Sequence, residues 1–339
     1  MNSNFNYNIR LESLIIFMIT IFISMISCSD KQPLNAQQLV GNNWAEKLGY
    51  PVGKKVLIFH ADDVGLCEEA NTAAISYLEK SEIQSAAIMI PCPNANNAIL
   101  WAANNRNKDI GLHLTLTSEW QTYRWGTVAD TSLVPGLLDG DGKMFRSVEE
   151  VVKSATPLEV ETEIRAQIDK AISLGMKPNH IDTHMGTLYG SSEFVKVFFK
   201  IAEEYNIPAN AIDLSKTEVA EHFRNAGYPI DENVIELVNN YKLPKLDFFS
   251  SVPDGNSYEE KREDFFKHIE ELPNGLIEII FHPSVESDNL KSITNSWQQR
   301  VWEAELFSDP IVKQFFVDEE IVFTNWKEIM EKFYSLTNR

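Results

Sequence analysis

Four short stretches of this 339-residue chain concentrate side chains that can hold a cation or move a proton. Asp62 and Asp63 are adjacent carboxylates just after the apolar run 56–59 and His60. Two like charges side by side cost free energy unless a cation or proton offsets them. Taken alone, the pair suits a solvated turn equally well. His113 sits inside Gly111-Leu112-His113-Leu114. It suits a hydrogen-bonded core histidine or a ligand, and Gly111 lets another group approach closely. In His180-Ile181-Asp182-Thr183-His184, alternate positions of an extended chain share one face. Two imidazoles and a carboxylate then project together, as metal ligands or as the groups that orient them. His282 ends the apolar run 276–281, just before Pro283. Glu278, four positions earlier, lies on the same face, and a buried Glu there needs a partner; it is placed to hold the His282 ring. Of seven histidines, His60, His113, His180, His184 and His282 fall at or near strand ends. With paired aspartates they fit one metal site at a single rim better than unrelated accidents. His222 and His268 lie in polar helical stretches and read as solvated.

The elements that must position these groups alternate along the chain. Apolar runs predict strands at 56–59, 85–90, 110–116, 180–182, 276–281 and 321–324. Helical spacing predicts helices at 68–80, 94–105, 157–174, 192–205 and 326–334, with Pro157 opening one and Gly175 stopping it. Residues 118–146, with scattered Gly, Pro and Asp, form a long loop. This alternation implies a parallel sheet covered on both faces, whose functional groups gather at the C-terminal strand ends. Residues 60–66 match neither GxGxxG nor GxxxxGK[ST], which argues against a nucleotide site and favours a closed or nearly closed (β/α) barrel.

With 49 acidic and 30 basic residues the formal charge is −19. Such a surface repels phosphate backbones and anionic lipid, so no nucleic-acid partner and no electrostatic membrane grip are expected. The 44% hydrophobic content is that of an ordinary globular protein. Three cysteines make no disulfide framework; Cys67 and Cys92 follow the first two strands, and spacing does not decide whether they pair. Residues 14–26 are nearly all apolar, too short for the ~20 residues of a span but suited to the core of a signal peptide. They end in Ile26-Ser27-Cys28, which resembles a bacterial lipobox. The expected organisation is a signal peptide at 1–27, a lipidated tether at 28–50 beginning with Cys28, and one barrel domain at 51–339. The chain is then an exported lipoprotein, touching the membrane only through the lipid on Cys28, on the periplasmic or cell-surface side.

HADDVG after the first strand, GLHLTLT after the third, HIDTH in mid-chain and FHP near the end occur in that order. Over residues 54–284 the chain resembles the YdjC-like carbohydrate deacetylases, the chitooligosaccharide and hopanoid-associated deacetylase group. The resemblance implies a (β/α) barrel of the polysaccharide-deacetylase-like type, a divalent ion held by one Asp and two His, and hydrolysis of an N-acetyl group on a sugar. Carried onto this sequence, Asp63, His113 and His184 match the metal ligands. Asp62 matches the catalytic carboxylate and His282 the histidine opposite it. His180, Asp182 and Glu278 are expected in support. Two places depart from the family pattern: Met185-Gly186-Thr187 follows HIDTH without further histidines, and Ala209-Asn210-Ala211-Ile212-Asp213 lacks the usual Arg. Trp120, Tyr123 and Trp125 in the long loop offer faces for a sugar ring, or for burial against the barrel.

The implied chemistry is attack by water at a metal with open coordination positions, Asp62 taking a proton and His282 donating one to the leaving amine. Mixed N/O ligation favours Zn²⁺, with Mg²⁺ as the alternative ion. Two other functions stand beside it: a non-catalytic glycan-binding lipoprotein, and a metal-dependent barrel hydrolase of another ester or amide. Intact Asp62, Asp63 and His282 argue against the first, because binding alone needs no base and acid.

Overall fold

The computed structural model describes residues 43–337. Its strands are β1 (Lys55–Val64), β2 (Ser85–Ile88), β3 (Ile110–Leu114), β4 (Ile181–Thr183), β5 (Phe248–Ser251), β6 (Gly275–Phe281) and β7 (Val322–Phe323). Six of them hydrogen-bond in the order β4-β3-β2-β1-β6-β5, with β7 alongside the start of β1. Every pairing is parallel. Parallel bridges Ile181↔Ala209 and Ile212↔Leu246 carry the sheet from β4 across residues 209–212 to the segment entering β5. The sheet therefore closes, and the expected (β/α) barrel is the observed one.

Both strand faces are covered, so β1 is buried from Val56 to Val64. Its two faces nevertheless meet different surroundings. Leu57, Phe59 and Ala61 pack outward on the helical layer, where Phe59 lies 4.8 Å from the Phe307 ring and 5.0 Å from Phe316. Val56 and Ile58 point inward, joining Leu246, Leu276 and Trp326 in a separate cluster that plugs the lower barrel. The next inward residues, His60 and Asp62, are polar and also buried. The barrel thus has an apolar floor and a polar upper interior.

Residues 43–50, expected within the tether, belong to the folded unit. Asn43 caps the short helix Trp44–Lys47. The Asp247 carboxylate accepts from the N–H groups of Trp44 and Ala45, at 2.8 and 3.1 Å. Ala45, Leu48 and Tyr50 pack against Trp326 at the barrel floor. Burying that apolar face fixes the segment against the barrel floor. The expected signal peptide, Cys28 and the rest of the expected tether lie outside the described residues. No described helix is long and apolar enough to cross a membrane.

The expected strands and helices are present with ends shifted by a few residues. Helices Thr217–Asn225, Glu232–Asn240, Tyr258–Glu271, Trp297–Ser308 and Pro310–Asp318, and strand β5, were not legible in the periodicity. Cys67 and Cys92 are free buried thiols. His222 and His268 are not simply solvated. The His222 ring lies 4.9 Å from Phe248, and His268 Nε2 hydrogen-bonds the Ser250 hydroxyl. Burial lowers the His268 pKa to about 4.

Candidate active site

Consecutive strand residues point to opposite faces, so Asp62 and Asp63 can both face the rim only if the strand breaks its alternation. It does so at this point. The β1–β2 register shifts between Ala61 and Val64, and Asp63 takes φ +60°. A left-handed conformation at a non-glycine residue costs energy and persists where surroundings enforce it, often at functional sites. Gly65, at φ +91°, completes the turn; a Cβ there would stand 3.0 Å from the Ala95 backbone.

Three atoms converge beside that turn. His113 Nε2 lies 3.2 Å from His184 Nδ1, and Asp63 Oδ1 lies 3.6 and 3.5 Å from these two nitrogens. Ligands at 2.0–2.1 Å from one ion stand about 3.0–3.4 Å apart in octahedral or tetrahedral geometry. The observed triangle is close to that. Asp63 Oδ1 is buried with no hydrogen-bond partner. Both imidazoles are held by a carboxylate on their outer nitrogen. His113 Nδ1 meets Asp182 Oδ1 at 2.6 Å, and His184 Nε2 meets Glu119 Oε2 at 3.1 Å. Such partners fix the tautomer and aim the free nitrogen at the ion. The donor set therefore fits one divalent cation. Two other sets of three polar groups lie close together: His60, His180 and Asp182, and Asp62, His113 and Asp182. The first is not at the cavity, because neither His60 nor His180 lines it. In the second, Asp182 already holds the outer nitrogen of His113.

Beneath the triangle lies the polar interior. His60 Nε2 is 2.9 Å from Asp182 Oδ2 and 3.2 Å from Asp62 Oδ1, so one imidazole ties both carboxylates together. Burial disfavours its cation, but the carboxylates of Glu278, Asp182 and Asp62 outweigh burial and hold its pKa well above the usual value. Burial likewise opposes charge on Asp182, yet His113 and His60 hold its pKa below the usual carboxylate range. Against burial, Arg300, His184 and His282 keep Asp63 well below that range. Against burial again, Glu119 and Asp63 push His184 up to about 10. His113 is also raised, by Asp62 and Asp182 against burial. In the metal-free protein, protons on these histidines balance the crowded carboxylates, and a cation would displace them.

The structure assigns different partners to two expected supporting residues. Glu278 does not hold His282. Glu278 Oε2 accepts from Trp326 Nε1 at 2.7 Å and faces His60 Nδ1 at 3.7 Å, deep in the barrel, and burial raises its pKa. Four residues along a strand span about 13 Å, so Glu278 lies far below the rim where His282 sits. Glu303 takes that role. Its Oε2 accepts the His282 N–H at 2.6 Å and lies 3.8 Å from His282 Nδ1. Its Oε1 accepts from the buried Lys261 ammonium at 3.3 Å. His180 is fully buried below the rim, stacked at 5.9 Å on Trp326. Gly111 makes room for it: a Cβ there would fall 2.3 Å from the His180 ring.

The aromatic loop residues are not platforms in the cavity. Trp125 is buried, its Nε1 donating to Thr117 O at 2.9 Å, and the Tyr123 hydroxyl donates to Leu66 O at 2.8 Å. Both close a satellite core with Cys67, Met89 and Cys92. Trp120 is half-buried against Trp125, and the Arg300 guanidinium lies 5.7 Å over its ring. Their rings are engaged with one another and with the barrel, which competes with sugar stacking. The sequence also left Glu119, Arg300 and Glu303 unread. Arg300, from helix Trp297–Ser308, donates to Asp63 Oδ2 at 2.8 Å. It supplies a guanidinium at the site although residues 209–213 supply none.

A cavity of about 260 Å³ opens over these groups. Its lining combines Asp62, Asp63, His113, His184, His282, Glu119 and Arg300 with the apolar side chains Ile212, Leu214, Phe223, Ile230, Phe249 and Ile280. A parallel barrel with a His₂Asp cluster opening into a cavity at its C-terminal rim defines the class, a (β/α) barrel with a candidate mononuclear metal centre. The pattern of the YdjC-like protein family matches residues 56–318, and the chain belongs to that family. Among its relatives is a carbohydrate deacetylase of Thermoanaerobacter pseudethanolicus, 27% identical over 272 residues, covering 80% of this chain and 98% of the relative. Another, from Thermus thermophilus, is 27% identical over 291 residues, covering 85% and 98%. A crystal structure from Enterococcus faecalis, described as a candidate cellobiose-phosphate cleavage protein, shares the fold. Its TM-score is 0.66 at 22% identity, over 81% of this chain and 98% of that one.

Proposed function

We propose that this protein is a metal-dependent carbohydrate deacetylase, hydrolysing the N-acetyl group of an amino sugar or oligosaccharide. The observation that carries the proposal is the Asp63, His113 and His184 triangle, with each imidazole backed by its own carboxylate. The deacetylase names of its relatives support the reaction class. A divalent ion held there, Zn²⁺ favoured by the N/O donors and Mg²⁺ the alternative, supplies Lewis acidity and a water that is acidic at neutral pH. Asp62 is assigned as general base. It lines the cavity beside Asp63, and its Oδ1 is steadied by His60. His282, which lines the cavity and is one-third exposed, is assigned as the acid that protonates the leaving nitrogen, with Glu303 fixing its backbone. Each proton transfer contributes typically ~10²–10⁴-fold. Arg300 Nε and Nη1 are buried without partners and stand ready for negative charge developing on the acyl oxygen.

The test is acetate release from a panel of N-acetylated sugars by metal-loaded protein, with chelator and with metal restored. Full activity after complete chelation, or no acetate from any sugar, overturns the assignment. The apolar part of the cavity lining favours a second reading, a hydrolase of amides or esters with a larger apolar acyl group. A butyryl or hexanoyl substrate outpacing acetyl on the same panel would select it. Export and lipidation at Cys28 are part of the same proposal and rest on the pattern of residues 14–28. Failure of the wild-type chain to take up a fatty-acid probe would refute that part.

A further inference from the structure

Besides Thr183, Tyr189 and Tyr228, the cavity lining holds one more polar side chain that the mechanism does not use. Asn210 lines the cavity and is 7% exposed. Its Oδ1 is buried without a hydrogen-bond partner. Its backbone, by contrast, is pinned at both ends. The Asn210 N–H donates to Ile181 O at 3.0 Å, and its carbonyl accepts from the Tyr189 hydroxyl at 3.3 Å. The side chain is thus held at a fixed place on the wall without being satisfied there. Neighbouring polar groups are already engaged: Thr183 Oγ1 accepts from the Leu188 N–H, and the Asp213 carboxylate accepts from Trp44 Nε1 and the Ser215 N–H. A buried acceptor without a partner destabilises the fold, and native proteins rarely keep one without a use.

We propose that Asn210 is the specificity-determining residue of the cavity. Its side-chain amide hydrogen-bonds one hydroxyl of the substrate, where the substrate body crosses the apolar lining of Ile212, Phe223 and Phe249. The proposal rests on the hydrolase reading above for the identity of the substrate. A site built around a substrate donor rejects the analogue that lacks it, because the protein acceptor is left unpaired. A fixed amide set among apolar side chains therefore selects a sugar by a single hydroxyl and by the apolar carbon face beside it.

The experiment uses metal-loaded protein, Asn210→Ala, Asn210→Leu, and N-acetylglucosamine oligosaccharides with their monodeoxy analogues. Asn210→Ala should keep its metal and lose about tenfold or more in kcat/KM on the parent sugar, mainly through KM. One deoxy analogue should be equally poor with wild type and Asn210→Ala, since the interaction is already missing. Equal loss on every analogue overturns the proposal. A second measurement needs no substrate. Asn210→Leu removes an unsatisfied acceptor and should raise Tm, whereas an unchanged or lowered Tm assigns Asn210 to the structure and overturns the proposal. Absence of acetate release from every sugar with wild type would instead sink the deacetylase reading, and the Tm result would still decide Asn210.

Discussion

Replacing Glu119 with Gln tests the metal centre through a residue outside the ligand triangle. Glu119 Oε2 lies 3.1 Å from His184 Nε2, on the side away from Asp63, and its side chain is 23% exposed on the long loop. The fold should survive the change. Two effects then compete. An outer carboxylate makes the inner nitrogen a better donor, and losing such a partner typically costs about 10–100-fold in metal affinity, or about 1.4–2.7 kcal/mol. The same carboxylate stabilises the proton on His184, whose pKa stands at about 10 through Glu119 and Asp63 against burial. At pH 7 a cation must displace that proton before it can bind the nitrogen. Wild-type apparent affinity should therefore rise with pH, by about tenfold per unit while His184 alone limits it. In Glu119→Gln the proton is held less tightly, so the climb levels off at lower pH. Near pH 9 the variant should show most of its loss; near pH 7 the weaker proton competition should offset much of it. Competition against a chromophoric chelator from pH 6.5 to 9 measures both curves. A constant ratio between the two proteins at every pH would refute the coupling of Glu119 to the His184 proton.

The remaining predictions separate roles around the same cavity. Asp62→Asn should retain the metal and lose about two to four orders of magnitude in kcat, whereas Asp63→Asn should lose the metal; elemental analysis showing the reverse means that the two carboxylates exchange roles. His282→Ala should retain the metal and cut amide hydrolysis far more than hydrolysis of an activated acetyl ester, because an amine must leave protonated. Glu303→Gln, which keeps an acceptor oxygen for the His282 N–H but loses the one that faces Lys261, should show the same bias more weakly. Equal losses on both substrates would place the acid elsewhere.

The placement of the site at strand ends was legible in the sequence because strand geometry has a period of two and parallel sheets bury both faces. Apolar runs ending in His60-Ala61-Asp62-Asp63, Leu112-His113 and Phe281-His282 located the rim, and closure of the sheet brought His113 and His184 to Asp63 as expected. The same period misled about Glu278. It does share a face with His282, but further down the barrel, where Trp326 and His60 engage it. Periodicity gives a direction and says nothing about what stands opposite.

The sequence by itself determined which residues are strand ends and which strand side chains face inward. Only the tertiary structure decided the partners. Arg300 reaches Asp63 across 237 positions, Asp182 reaches His113 across 69, and Glu119 reaches His184 across 65. These contacts depend on how the barrel closes and on where the outer helices and the long loop settle on its rim. That settling is governed by apolar burial distributed over the whole core, such as the packing of Trp125 against Met89 and Cys92, which no local spacing encodes. The backbone turn at Asp63 belongs with them: nothing in two consecutive aspartates announces that both will face one cavity, and the strand must leave its regular conformation to put them there.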